Sequence, residues 1–532
     1  MGTQISSFGR WHPRLLEAAA AMHDNRLDVA ERILKPHLQE DPFDVRAIRM
    51  LAELAARIGR LKDAEKLLRR AMEISPAFTP ARANLAMVLG RLGRPAEALE
   101  LLEGLFQAEP EAVGHLNLKA ATLGRLGEFE EALQLYEQVL ERAPHQPRVL
   151  LSYGHMLKTV GRLDEAVDAY RKAIALKPAL GEAWWSLANL NTVRFEDADI
   201  QGLQAALEDS NLKDDDRFHL GFALGKALHD AGRSDEAFGH YAAANALRRT
   251  YHPFRSGDLT SLVDRSIELF TAELLSRGGG CEAPDPIFIV GMPRAGSTLV
   301  EQILSSHSLV EGTTELPDMP ALARGRGGYP ASAVEMSEAE RAATGEEYLK
   351  RTAVQRRSER PLFIDKLPNN WMFVPFIHWV LPNARIIDAR WHPLSCCFSN
   401  FRQHFARGQD FTYDLGDLGH YYSDYVRLLA HVDAVLPGRV HRVIYEQLVD
   451  DTEAEVRALL EHCGLEFEQP CLEFYNTERA VRTPSAQQVR RPIYREAIEE
   501  WRAYEPHLEK LKDALGEVLD AYPLPPASFG PR

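Results

Sequence analysis

Arg294, Ser297 and Thr298 stand in a turn bounded by Gly291 and Gly296, within the stretch Pro286-Ile-Phe-Ile-Val-Gly-Met-Pro-Arg-Ala-Gly-Ser-Thr-Leu-Val-Glu-Gln-Ile-Leu304. A guanidinium, two hydroxyls and the backbone N–H groups of a glycine-rich turn are suited to receive phosphate or sulfate oxygens. The spacing Gly291-x-x-x-x-Gly296-Ser297-Thr298 is that of the phosphate loop Gly-x-x-x-x-Gly-Lys-[Ser/Thr], with Ser297 in the lysine position. That lysine neutralises the β- and γ-phosphates of a nucleoside triphosphate. Its absence argues against ATP or GTP and for an anionic donor of lower charge. Two elements must hold the turn. Ile287 to Val290 is a short, β-branched, apolar run that reads as a buried strand. From Ser297 onward, Leu299, Ile303 and Leu304 recur at helical spacing.

The same stretch resembles the 5′-phosphosulfate loop of sulfotransferases that use 3′-phosphoadenosine-5′-phosphosulfate (PAPS). The likeness is greatest to bacterial proteins that join tetratricopeptide repeats to a sulfotransferase domain; tyrosylprotein sulfotransferases are more distant relatives. It covers essentially the whole chain. The resemblance implies that Pro293, Arg294, Ala295, Gly296, Ser297 and Thr298 hold the 5′-phosphosulfate, with Arg294 also catalytic. It assigns Lys366, in Asp365-Lys366-x-Pro, to the leaving phosphate, and Glu315, in Thr314-Glu315-Leu316, to the general base. His392 and His404 are the alternative bases. The 3′-phosphate falls to an Arg and a Ser in the family pattern Arg-Asp-Pro-x-x-x-x-x-Ser. Here Ser399 matches, but Trp391 and His392 stand where Arg and Asp are expected, and Arg390 is the replacement one residue earlier. A one-residue step along a strand turns a side chain to the opposite face. Ser485, Arg490 and Arg491, in Thr483-Pro-Ser-Ala-Gln-Gln-Val-Arg-Arg-Pro, resemble the family's C-terminal loop and imply a clamp on that phosphate. PAPS is the implied co-substrate, adenosine 3′,5′-bisphosphate (PAP) the product, and no metal is implied.

Further strands are expected at Leu362–Asp365, Ala384–Ala389 and Val440–Tyr445, with helices at 338–356, 373–381 and 418–436 between them. Alternating strands and helices imply a parallel α/β sheet with functional groups at the C-terminal strand ends. Arg294, Lys366 and Arg390 then share one edge.

Ahead of this region lies a repeat. Gly59, Gly93, Gly127 and Gly161 are spaced by 34 residues, as are Ala64, Ala98, Ala132 and Ala166, and Pro76, Pro110, Pro144 and Pro178. That is the period of the tetratricopeptide repeat, a helix–turn–helix unit. Asn25, Ala30 and Pro42 extend it backward, so it starts near Pro13. It fades between about Thr192 and Lys213 and returns at Gly232 and Ala237. Stacked repeats form a solenoid whose concave face suits a peptide or protein. The expected organisation is a repeat domain over 1–250, a helical connection over 251–284 containing Arg277-Gly-Gly-Gly-Cys281, and the sulfotransferase-like α/β domain over 285–525.

A chain of 532 residues exceeds one hydrophobic core. The net charge of −15 argues against non-specific nucleic-acid binding and requires an anion site to be locally basic. The five cysteines lack metal-ligand spacing and read as reduced thiols of a cytoplasmic protein. No apolar run approaches the roughly 18 residues of a membrane span, and no signal-peptide core precedes the first repeat. Met1-Gly-Thr-Gln-Ile-Ser6 matches the myristoylation pattern by chance. Two other readings compete with a sulfotransferase that moves a sulfuryl group to a phenol, sugar or tyrosine hydroxyl. One is a phosphate-loop kinase or NTPase. The other is a repeat scaffold carrying a degenerate, non-catalytic domain of the same fold.

Overall fold

The repeat glycines set the turns of the N-terminal solenoid. Gly59, Gly93, Gly127 and Gly161 have φ of 83°, 78°, 91° and 87°, the left-handed region that closes one helix and lets the next begin. Asn25 fills the corresponding place in the first repeat with φ 58°. The structure, a computed structural model, describes residues 12–109, 112–190, 192–313, 315–405, 408–477, 488–493, 495 and 498–529. It divides into two compact units, Met1–Lys177 and Pro178–Arg532.

The first unit is an α-helical solenoid of tetratricopeptide type, running from Pro13–His23 to Leu163–Leu176. The repeated alanines Ala30, Ala64, Ala98, Ala132 and Ala166 are fully buried, because only a methyl group fits where paired helices approach. Its apolar contacts form successive local clusters, as expected where each repeat touches only its neighbours. At Gly154 an added Cβ would lie 2.5 Å from the Tyr170 ring. The pairing recurs in the second unit, where a Cβ on Gly225 would lie 2.7 Å from Tyr241.

The second unit contains a five-stranded parallel sheet among its described residues: β1 (Pro286–Gly291), β2 (Val310–Gly312), β3 (Leu362–Lys366), β4 (Arg385–Arg390) and β5 (Val440–Ile444). The order is β2-β3-β1-β4-β5. β1 is central and buried throughout. Its alternation divides the core. Ile287 and Ile289 pack with Val300, Ile303 and Leu304 of the following helix, Ser297–Ser305. Phe288 faces Tyr348 on the helix Glu338–Ala353, ring centroids 5.5 Å apart. From β1 the chain winds to β2 and β3 on one side, then crosses to β4 and β5 on the other. The ends of β1 and β4 therefore flank the point where the winding reverses, the usual ligand crevice of an open α/β sheet.

Three features differ from the sequence reading. The three-residue β2 has too little pattern to be legible alone; pairing of Val310 with Leu362 and of Gly312 with Ile364 creates it. The stretch 321–337, for which the sequence pattern predicts no strand or helix, includes most of the helix Asp318–Gly325 and all of Ala331–Val334. By packing, the line between units falls at Lys177/Pro178, whereas the repeat pattern placed it near residue 250. The helices Gly181–Ala188, Asp197–Leu207, Asp214–Asp230 and Ser234–Tyr251 belong with the sheet. Asn245 Nδ2 donates to the Phe401 carbonyl at 2.8 Å, and Arg249 pairs with Asp414 at 2.9 Å.

Candidate active site

The turn after β1 is built by close approach. Gly291 pairs in register with Ala389 of β4, and a Cβ at its φ of 135° would stand 2.3 Å from the Ala389 carbonyl oxygen. Arg294 takes φ 67°, which costs an L-residue roughly 1–2 kcal/mol and is characteristic of ligand clamps. Gly296, at φ 92°, caps the helix Ser297–Ser305. Asn400 Nδ2 pins the turn by donating to the Pro293 carbonyl at 2.7 Å. Arg294 Nε donates to Ser399 Oγ at 3.3 Å, joining two predicted anion-binding residues 105 apart in sequence. Ser297 and Thr298 lie buried at the helix N-terminus, where backbone N–H groups and the helix dipole favour an anion.

A cleft of about 840 Å³ opens beside this turn. Arg294, Gly296, Ser297 and Thr298 form one wall; Trp391, Ser399, Arg402 and Gln403 form another. The C-terminal segment contributes Val489, Arg491 and Ile493. Arg491, one of the three residues expected to clamp the 3′-phosphate, is thus a cleft-lining residue. Arg490 is exposed and is not among the cleft-lining residues. Ser485 lies outside the described residues. Pro293 and Ala295 shape the turn through their backbones: the Ala295 N–H donates to the Met292 carbonyl at 3.2 Å.

Arg390 is elsewhere, which corrects the expectation that it replaces the missing arginine. It lies on the same face of β4 as Asp388, two residues before it, and is 2% exposed. Arg390 Nη2 donates to Asp388 Oδ2 at 2.8 Å and Arg390 Nε to the Tyr425 hydroxyl at 3.2 Å. Arg442 Nε meets the same Asp388 oxygen at 3.0 Å. This is a buried charge network under the sheet edge. Trp391, one residue on, lines the cleft, with its ring 5.2 Å from that of Tyr445.

Lys366 and Glu315 come together on the other side of the turn. Lys366 ends β3, in register with Ile289 of β1. Its Nζ donates to Glu315 Oε1 at 2.6 Å; the lysine side chain is 3% exposed and the glutamate 50%. Neither residue lines the cleft. The sheet order puts them on the β3 side of the turn and the cleft on the β4 side. Asp365, adjacent to Lys366, is wholly buried and accepts from the Tyr348 hydroxyl at 2.8 Å. Burial pushes its carboxyl up to about 8, against the opposing effect of the Tyr348 bond.

The alternative bases are packed in apolar surroundings. His392 stacks on Trp501, centroids 5.7 Å apart and planes 9° from parallel, and burial pulls it down to about 4. His404 sits among Trp185, Phe218, His219 and Phe222, where burial pulls it down to about 2.

Sequence reasoning missed a further wall. Trp185, Asn189, Arg194, Lys226 and His229, from the helical segment ahead of the sheet, line the same cleft. Arg402 Nη1 meets His229 Nε2 at 3.0 Å, and His229 Nδ1 meets the Tyr504 hydroxyl at 2.7 Å. A guanidinium always donates, so Nε2 accepts and the proton of the neutral ring is on Nδ1. Burial, then the Arg402 charge, hold His229 down at about 4. No motif in the sequence marks this wall; Arg402, which meets it from the facing wall, lies three residues after Ser399. Among the described residues no group of His, Cys, Asp or Glu is arranged to hold a metal ion, and no helix is long and apolar enough to cross a membrane.

Comparison with known proteins agrees with this division. Residues 286–469 match the model of the Sulfotransferase family, and residues 10–178 match a Tetratricopeptide repeat model. An uncharacterized protein of Aquifex aeolicus (strain VF5) is 34% identical over 337 residues, 60% of this chain and 44% of that protein. The chain thus spans less than half the length of this curated relative. Among solved structures, a thermophilic TPR protein of Thermus thermophilus is 21% identical, with 34% of this chain and 98% of that chain covered and a TM-score of 0.32. YrrB, a TPR protein with an unusual peptide-binding site, is 20% identical, with 33% and 90% covered and a TM-score of 0.27. The chain thus joins a region that matches a Tetratricopeptide repeat model to a parallel α/β region that matches the model of the Sulfotransferase family.

Proposed function

We propose that the second unit transfers a sulfuryl group from PAPS to an acceptor hydroxyl. The observation that carries this reading is the placement of the anion turn, with Arg294 bonded to Ser399, directly beside the strand that ends in the Lys366–Glu315 pair. The turn N–H groups, Arg294, Ser297 and Thr298 hold the 5′-phosphosulfate, and Arg491 closes over the donor. Lys366 has three N–H donors, one of them on Glu315, leaving two for the oxygen that bridges phosphorus and sulfur. As the bond from sulfur to that oxygen breaks and the acceptor oxygen bonds to sulfur, Glu315 takes the acceptor proton and Lys366 stabilises the charge on departing PAP. The solenoid selects or presents the acceptor as a peptide or protein, in a cytoplasmic setting.

Calorimetric titration with PAP in the absence of Mg²⁺ tests the donor site. Submicromolar to micromolar binding is expected, weakened by about 2–5 kcal/mol in Arg294→Ala. Arg294→Gly, free to take positive φ, separates loss of the charge from backbone strain. Transfer of ³⁵S from labelled PAPS onto a host lysate tests the reaction and identifies the acceptor class. Preference for ATP with Mg²⁺ would instead indicate a phosphate-loop kinase. The second reading, a scaffold with a degenerate domain, is favoured by Trp391 lining the cleft where the family pattern has arginine; it requires that PAP not bind.

A further inference from the structure

We propose that Lys226 and Arg194, on the helical segment ahead of the sheet, form with Arg402 a second anion subsite of the cleft and replace the arginine absent at Trp391. The inference rests on the donor reading above.

The segment that carries Lys226 and Arg194 lies between the two matched regions, 10–178 and 286–469, and belongs to neither. It nevertheless walls the same cleft as the anion turn. A cleft of about 840 Å³ is near the upper end of small-molecule sites, roughly 300–1,000 Å³, and far exceeds one sulfate. The turn accounts for one anionic group. Arg194, Lys226 and Arg402 belong to other walls, where Asp230 and Glu500 are the opposing charges. Two basic regions in one cavity, with apolar surface from Trp391, Tyr445, Val489 and Ile493, suit a ligand with two separate anionic groups on an apolar body: a nucleoside bisphosphate rather than a monophosphate.

The cations differ in how they are held. Lys226 Nζ meets both Asp230 oxygens at 2.6 and 2.7 Å in an exposed i,i+4 pair, a contact readily exchanged for ligand oxygens. Arg194 is exposed. Arg402 is fixed by His229, by Glu500 and by the Phe398 ring 5.3 Å away. Neutral His229 orients Arg402 without competing for the anion.

The test compares PAP with adenosine 5′-monophosphate by calorimetry on the full chain, for wild type, Lys226→Met, Arg194→Ala and the double variant. Both side chains reach solvent, so thermal melting should match wild type and circular dichroism provides the fold control. The double variant is expected to lose about tenfold or more in PAP affinity while changing monophosphate affinity less than about twofold, since only PAP carries the second anionic group. Equal losses for both ligands, or none for PAP, would overturn the second subsite and leave the donor reading standing. Wild-type protein that binds neither ligand would overturn both.

Discussion

Lys366 Nζ lies 2.6 Å from Glu315 Oε1, although 51 residues separate them. β3 delivers the lysine, while the glutamate arrives on the segment after the short edge strand β2. In the proposed reaction this pair is the cation for the leaving oxygen and the carboxylate for the incoming hydroxyl.

Glu315→Gln should therefore separate chemistry from binding. Glutamine keeps an acceptor for Lys366 but takes no proton at neutral pH. Sulfuryl transfer is expected to fall by about 10²–10⁴, with PAP affinity within a few-fold of wild type. Because the Glu315 side chain is half exposed, thermal stability should change little. Single-turnover ³⁵S transfer and calorimetry on the same preparation measure both. Retained turnover would remove Glu315 from the mechanism.

Arg390 gives the opposite pattern. Asp388 is fully buried and accepts from Arg390, Arg442 and the Tyr425 hydroxyl. Arg390→Met removes one of the two paired cations from a buried carboxylate, expected to cost about 3 kcal/mol in unfolding free energy. The PAP affinity of the folded fraction should hold within about twofold, because a structural residue contributes no direct ligand contact. Denaturant titration and calorimetry decide this; a selective loss of PAP binding would return Arg390 to the site.

Asp365 predicts a pH dependence. Burial raises its carboxyl to about 8 from an ordinary 3.8. The folded protein then holds this proton more tightly than the unfolded chain. Its stabilising contribution is complete below about pH 4 and fades as the pH rises toward about 8. Asp365→Asn keeps an acceptor for the Tyr348 hydroxyl and removes the titration. Its melting temperature should fall less than that of wild type between about pH 6 and pH 8. Parallel melting profiles would show that Asp365 is not the group responsible.

Truncation should respect the packing boundary. A fragment of residues 178–532 keeps the cleft walls formed by Trp185, Lys226 and His229, and is expected to bind PAP as the full chain does. A fragment starting at 252 loses that wall and the Asn245 bond to Phe401, and should bind weakly or precipitate. Equal binding by both fragments would show that the helical segment is dispensable for the donor.

What the sequence determined by itself was periodic or local. The 34-residue repeat specifies its turns through glycine φ and its packing through fully buried alanines, both properties of single positions. The anion turn is legible for the same reason: Gly291, Arg294, Gly296 and Ser297 act within a few residues of one another. Four longer strands showed as apolar runs because parallel strands are buried on both faces. The tertiary structure decided everything that depends on which face, or which distant element, meets a residue. Strand alternation sent Arg390 inward to Asp388 and left Trp391 facing the cleft. Pairing to β3 created β2. Sheet order set the Lys366–Glu315 pair on one side of the turn and the cleft on the other, and packing placed helices with repeat-like sequence beside the sheet as a wall of that cleft. Charge and periodicity are written along the chain, whereas a cleft is made by surfaces that only the fold brings together.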